Sequence, residues 1–166
     1  MQPQEVTLLF AYDAWATERI FGQAAKVSEA ELLAPRPFGQ GSLRDTLVHM
    51  VSAMWIWRTR CQEGRSPTQF LAAGDFADIT AVQRRWQVES AALRDYVAGL
   101  NETDLGGTFH YQDTRGNRHQ DQLWSILAHV INHSTQHRAE VAAILTTLGY
   151  SPGDLDLIVY LRQKGV

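Results

Sequence analysis

Residues 121–148 read DQLWSILAHVINHSTQHRAEVAAILTTL, with Gly149 directly after and Pro152 close behind. Leu123, Ile126, Leu127, Val130, Val141, Ile144, Leu145 and Leu148 recur at helical spacing. The stretch therefore predicts one long amphipathic helix, stopped at the glycine. With His133 at the origin of a wheel of about 100° per residue, the apolar arc runs from about 20° to about 120°. His137 falls inside it at about 40°, His133 stands at its edge, and His129 lies about 60° outside. His129 shares its flank with Ser125, Gln136 and Glu140. So the three histidines, spaced four apart, are not equivalent. Two turn inward and one does not.

An inward pair at i and i+4 brings two ring nitrogens towards one point, the spacing that helical zinc sites use. The same pair also fits a buried hydrogen-bonded network, and the spacing leaves both readings open. A third ligand must come from elsewhere. His110 and His119 lie in a segment whose side-chain directions the sequence does not assign. His49 sits mid-helix in SLRDTLVHMVSAMWIW, beside Thr46 and Ala53 and next to an apolar arc of Leu43, Leu47, Met50, Met54 and Trp57. Small neighbours leave room for an ion. Alone, His49 reads as structural; as partner to a convergent pair, it is the best-placed third ligand.

Three further helical patterns complete the frame. The first runs from about Gln4 to Lys26. Ser28 then precedes EAEL, and APRPFGQG (34–41) is a loop of breakers. Ser42 with Asp45 caps a second helix that ends near Glu63, before Gly64. A long connection (65–78) leads to a third helix, 81–98, which Thr80 can cap. Between Leu105 and Gln120, β-favouring residues flank a DTRGN turn, which predicts a small hairpin or ordered loop. DLDLIVYLRQK closes the chain as a short helix. Four substantial helices, each with an apolar stripe, predict an all-α four-helix bundle and one domain over 1–166.

The bulk numbers exclude several function classes. A net charge of −3 and no basic run give no footprint for nucleic acid. Cys61 is the only cysteine, so neither an internal disulfide nor a multi-cysteine metal site can form. Glu5, Asp13 and Glu18 interrupt the apolar N-terminal stretch, which reads as neither a signal peptide nor a membrane span. The expected location is the cytoplasm. Of the tryptophans at 15, 55, 57, 86 and 124, most are expected in the core.

Three pieces resemble the DinB/YfiT-like family of proposed metalloenzymes: LLFAYDAWATERIF, GSLRDTLVHMVSAMWIWRTR and LAHVINHSTQHRAEVAAILTTLGYSPGDLDLIVYLR. They follow the family's order over nearly the whole chain, and the N-H-x-x-x-H-R element is the most specific. The resemblance implies a four-helix bundle, often homodimeric, with one divalent metal on three histidines. Those correspond to His49, His133 and His137, the three that the helical wheels select. His129 matches a histidine that commonly precedes the pair without being a usual ligand. Where many members read H-R-G-Q, this chain has His137-Arg138-Ala139-Glu140, and Gln136 stands where an aromatic residue or histidine is frequent.

Three imidazoles leave coordination positions for water or substrate. The all-nitrogen set suits zinc, nickel, copper or iron; zinc or nickel is the first expectation, with iron or manganese behind. Neither paired E-x-x-H elements nor H-E-x-x-H occurs, which favours a mononuclear site. The resemblance implies a transferase using a low-molecular-weight thiol such as bacillithiol or mycothiol, or a metal-dependent hydrolase acting on a small molecule. A hydrolase needs a general base, for which Glu140 is the candidate. It could instead partner an imidazole, or be an ordinary solvated glutamate. Arg138 faces away from the pair and reads as structural. The third alternative is a non-catalytic, metal-stabilised binding or stress protein.

Overall fold

The computed structural model describes residues 1–165. Its elements are α1 (Pro3–Ala24), α2 (Glu29–Leu33), α3 (Leu43–Glu63), α4 (Ile79–Ala98), α5 (Glu102–Gly106), β1 (Thr108–Gln112), β2 (Arg118–Gln122), α6 (Leu123–Thr147) and α7 (Leu157–Lys164). The four long helices form the bundle. Helices α1 and α3 each pack against both α4 and α6, so α1 lies diagonally across from α3. The core between them is built from Phe10, Ile20, Leu47, Val51, Val82, Leu93, Leu127, Ile144 and their neighbours. The strands pair as an antiparallel hairpin, Thr108 opposite Gln122 and Gln112 opposite Arg118.

Local chemistry sets the helix ends. Ser42 accepts the Asp45 amide at 3.0 Å and donates to its carboxylate at 2.7 Å, starting α3 as expected. Gly64, at φ 66°, ends it in the left-handed region. Helix α4 begins earlier than the Thr80 reading. Asp78 accepts the Ala81 amide at 2.8 Å and is the cap, and a carboxylate suits the positive helix start. Helix α6 starts at Leu123 rather than 121, because Asp121 and Gln122 belong to β2. Helix α1 stops at Ala24, short of Lys26. The last helix begins at Leu157 instead of 154, since the Tyr12 hydroxyl donates to the Leu155 carbonyl at 2.8 Å and holds that segment outside the helix. Two single-turn helices, α2 and α5, carry too short a pattern to be read as helices in advance. Among the tryptophans only Trp86 is buried. Trp15, Trp55 and Trp57 are half-buried and Trp124 is exposed, because large amphipathic rings pack well at the flanks of a bundle.

One buried ion pair ties α6 to α1. The Arg138 guanidinium donates to Asp13, and both residues are 2% exposed. The same guanidinium reaches Ser134 and Thr135, each at 2.9 Å, and lies 5.2 Å from the Tyr12 ring centre. Arg138 is thus structural, as its direction on the wheel implied. Such a pair contributes little net stability over an apolar replacement, but losing one partner strands a buried charge. Asp13→Ala is expected to lower unfolding free energy by about 3–5 kcal/mol in urea denaturation, well beyond an exposed control such as Glu18→Ala.

Candidate metal centre

Helices α3 and α6 run antiparallel along one seam. His49 of α3 meets His133 and His137 of α6, and two turns further along α3 Trp57 meets His129. Helical spacing brings His133 and His137 to within 4.5 Å of one another by ring centre. The His49 ring centre lies 4.6 Å from that of His137 and 5.2 Å from that of His133. One nitrogen from each of the three rings lies within 4.8 Å of the others. Nε2 of His49 and Nε2 of His133 are 3.3 Å apart. Two imidazoles on a tetrahedral zinc with bonds of 2.0–2.1 Å would place their nitrogens about 3.4 Å apart, so this edge already fits.

His49 and His133 present lone pairs rather than charges. Burial, reinforced by the surrounding imidazoles, pushes His133 down to about 4. His49 is also lowered, by burial first and then by His137. Both are therefore neutral at neutral pH, the state a metal ligand requires. His137 is buried at 5% exposure, and its Nδ1–H donates to Glu140 Oε2 at 2.7 Å. A carboxylate can only accept, which assigns a proton to Nδ1 and leaves Nε2 as the atom of this ring to face a metal. Of the readings open for Glu140, the imidazole partner is the one the geometry realises.

The surroundings come from loops. Phe70, 51% exposed, stacks on His49 with ring centres 5.7 Å apart and planes 28° apart. Its segment is pinned to α3 where the Leu71 amide donates to Ser52 at 2.8 Å and Arg44 donates to Ala73 at 2.6 Å. No periodicity marks Phe70, so sequence reasoning missed it. On the other side, the Gln40 amide donates to Thr46 at 3.2 Å. A Cβ on Gly39 would stand 2.8 Å from Thr46 Oγ1 and 3.7 Å from Glu140 Oε2. At φ 76°, that position needs glycine on both counts.

The other histidines stay apart from the cluster. His129 is exposed at the rim, its ring 5.7 Å from His133 and 5.5 Å from Trp57. Partial desolvation of the ring where it lies against Trp57, with the Arg60 charge, holds it below its usual pKa. His110 and His119 are exposed on the hairpin, where His119 bonds Asp113 at 3.1 Å. Cys61 is half-buried, with its thiol pushed up to about 12 by desolvation. No helix among the described residues is long and apolar enough to cross a membrane.

A family model described as "DinB family" matches residues 1–165. A protein named Protein DinB, from Bacillus subtilis strain 168, is 24% identical over 162 residues, covering 92% of this chain and 91% of its own length.

Two outcomes follow from this geometry. His49→Ala or His137→Ala is expected to abolish stoichiometric metal uptake in elemental analysis, while His129→Ala retains it. Glu140→Ala should keep the site but weaken it about 10- to 100-fold in a chelator competition. Equal loss in all three histidine variants would refute the assignment. Second, His133 binds a proton more weakly folded than unfolded, so the unfolded state takes up protons first as pH falls. The metal-free protein is expected to keep the full contribution above about pH 6.5 and to lose it progressively towards pH 4. Melting temperature against pH should show that slope, and His133→Asn should flatten it.

Proposed function

We propose that this chain, which belongs to the DinB family, holds one divalent metal ion on His49, His133 and His137 and transfers the sulfur of a low-molecular-weight thiol to a small electrophile. The observation that carries the reading is the convergence of three imidazole nitrogens with no carboxylate or thiol in the group. Three ligands leave room for a fourth donor from outside. When bound, the metal supplies positive charge that favours the deprotonated form of a coordinated thiol. An all-nitrogen set suits zinc or nickel first.

The chain's own residues have separable tasks. His49, His133 and His137 bind. Glu140 orients His137 through the 2.7 Å hydrogen bond and adds a negative charge in contact with the ligand set. Phe70 gives the mouth an apolar face against which a substrate can exclude water. The sulfur must be supplied from outside, since Cys61 is held as a thiol. In the transfer, the thiol loses its proton to solvent, a sulfur–carbon bond forms, and the leaving group departs with the electron pair.

Metal-dependent hydrolysis is the second reading. It needs a general base at the site, and Glu140, the candidate, has an oxygen committed to His137. That favours thiol chemistry. Homodimerisation and a cytoplasmic location belong to the same proposal, and binding of nucleic acid or membrane does not. The test is protein purified without a metal-affinity tag and reconstituted with cobalt. A thiolate-to-cobalt charge-transfer band with cellular thiols, lost in His49→Ala, is the expected result. No band with any thiol, alongside turnover of activated esters or amides, would replace the transferase by the hydrolase.

A further inference from the structure

Trp86 carries an indole N–H that the fold buries and that no protein group accepts. The residue is 4% exposed, and its ring packs on Phe21 with centres 5.3 Å apart. Buried donors are ordinarily satisfied, so its surroundings decide what completes it. On one side of Trp86 a groove opens to solvent beside Trp15 and Tyr160. An atom sealed from solvent does not face it. On the other side a small cavity lies between α1, α3, α4 and α6, where the space open to the centre of a water molecule is about 10 Å³. That is room for one water. Met50, Met54 and Val130 close it with apolar surface, and its polar groups come from Trp86, Thr17, Ser134 and His133.

The donors and acceptors around that space match those of a single water. Thr17 and Ser134, both buried, accept from Arg138 Nη1 at 3.4 Å and 2.9 Å, and each hydroxyl oxygen keeps a second lone pair. His133 turns Nε2 towards His49, 3.3 Å away, and makes no other hydrogen bond among the described residues. Its Nδ1 is the ring nitrogen left over. A ring that gives Nε2 to a metal carries its proton on Nδ1, and that proton needs an acceptor. For His137 the acceptor is Glu140; His133 has no such partner. Two N–H donors, from Trp86 and His133, and two hydroxyl acceptors supply the full set of bonds that a buried water can make.

We propose that this cavity binds one structural water, which joins Trp86 to His133 and holds the His133 ring in the orientation that offers Nε2 to the metal. Trp86 is then a positioning residue, acting on the ion only through the water and the ring. Because both hydroxyls also hold Arg138, the water ties a ligand to the network that docks α6 on α1. The part played by His133 rests on the metal reading above; the water held by Trp86, Thr17 and Ser134 does not.

Crystal structures of the full chain, metal-free and zinc-loaded, test the water without recourse to any variant. A density peak within about 3.2 Å of Trp86 Nε1 and of at least one of the two hydroxyl oxygens is expected in both forms. A dry cavity, or an indole N–H bonded to a protein group, overturns the proposal. The link to His133 is read in the cobalt-substituted protein, where each ligand's ring N–H gives its own exchangeable, metal-shifted proton resonance. Trp86→Phe, which removes the donor, should move the His133 resonance alone and weaken cobalt binding about tenfold in a chelator competition. Glu140→Ala should move a different resonance, that of His137. If Trp86→Phe leaves the His133 resonance unmoved, or moves all three alike as a packing defect would, the positioning role is overturned. A chain that holds the water but takes up no metal defeats the metal reading alone. Zinc bound beside a dry cavity defeats this inference alone.

Discussion

The rotation of α6 about its own axis is the constraint on which the rest depends, and Arg138 with Asp13 sets it. A helix can slide or turn on apolar packing at modest cost, because aliphatic contacts are non-directional. A guanidinium engaged with a carboxylate and two hydroxyls has one orientation in which all are satisfied. With Arg138 fixed against α1, the residue before it must face α3, so His137 is delivered to His49. The ion pair adds little to net stability in return for its desolvation. Its effect is to fix which face of α6 meets α3.

The cluster itself is a site of low charge. Three imidazoles bring no negative charge to an ion, and Glu140, standing behind one of them, supplies a carboxylate. Carboxylate-rich sites hold hard cations by charge, whereas imidazoles hold borderline ions by directed lone pairs. The depressed affinities of His49 and His133 for protons have the same origin as their readiness for a metal: desolvation penalises a bound proton on either ring, an effect that the Glu140 carboxylate offsets only in part at His49.

Periodicity made most of this legible. The four long helices and the division of His129 from His133 and His137 follow from apolar spacing, because a helix converts sequence distance into direction, whereas the hairpin or loop was read from β-favouring residues around the DTRGN turn. Helix ends were less legible. Asp78 and Thr80 can both cap, and the choice depends on where the connection from α3 arrives. The length of β2 depends on its partner strand, which moved the start of α6 by two residues. Phe70 and the Arg60–Tyr111 contact were illegible altogether. Each sits where a loop or hairpin folds back across α3, and such a path is fixed by distant hydrogen bonds such as Leu71 to Ser52.

The raised pKa of Cys61 has a consequence for any protein that handles sulfur and electrophiles together. An accessible thiolate would compete with the incoming thiol for the metal, and would itself be alkylated by the electrophile at each encounter. With its proton held to about pH 12, Cys61 does neither.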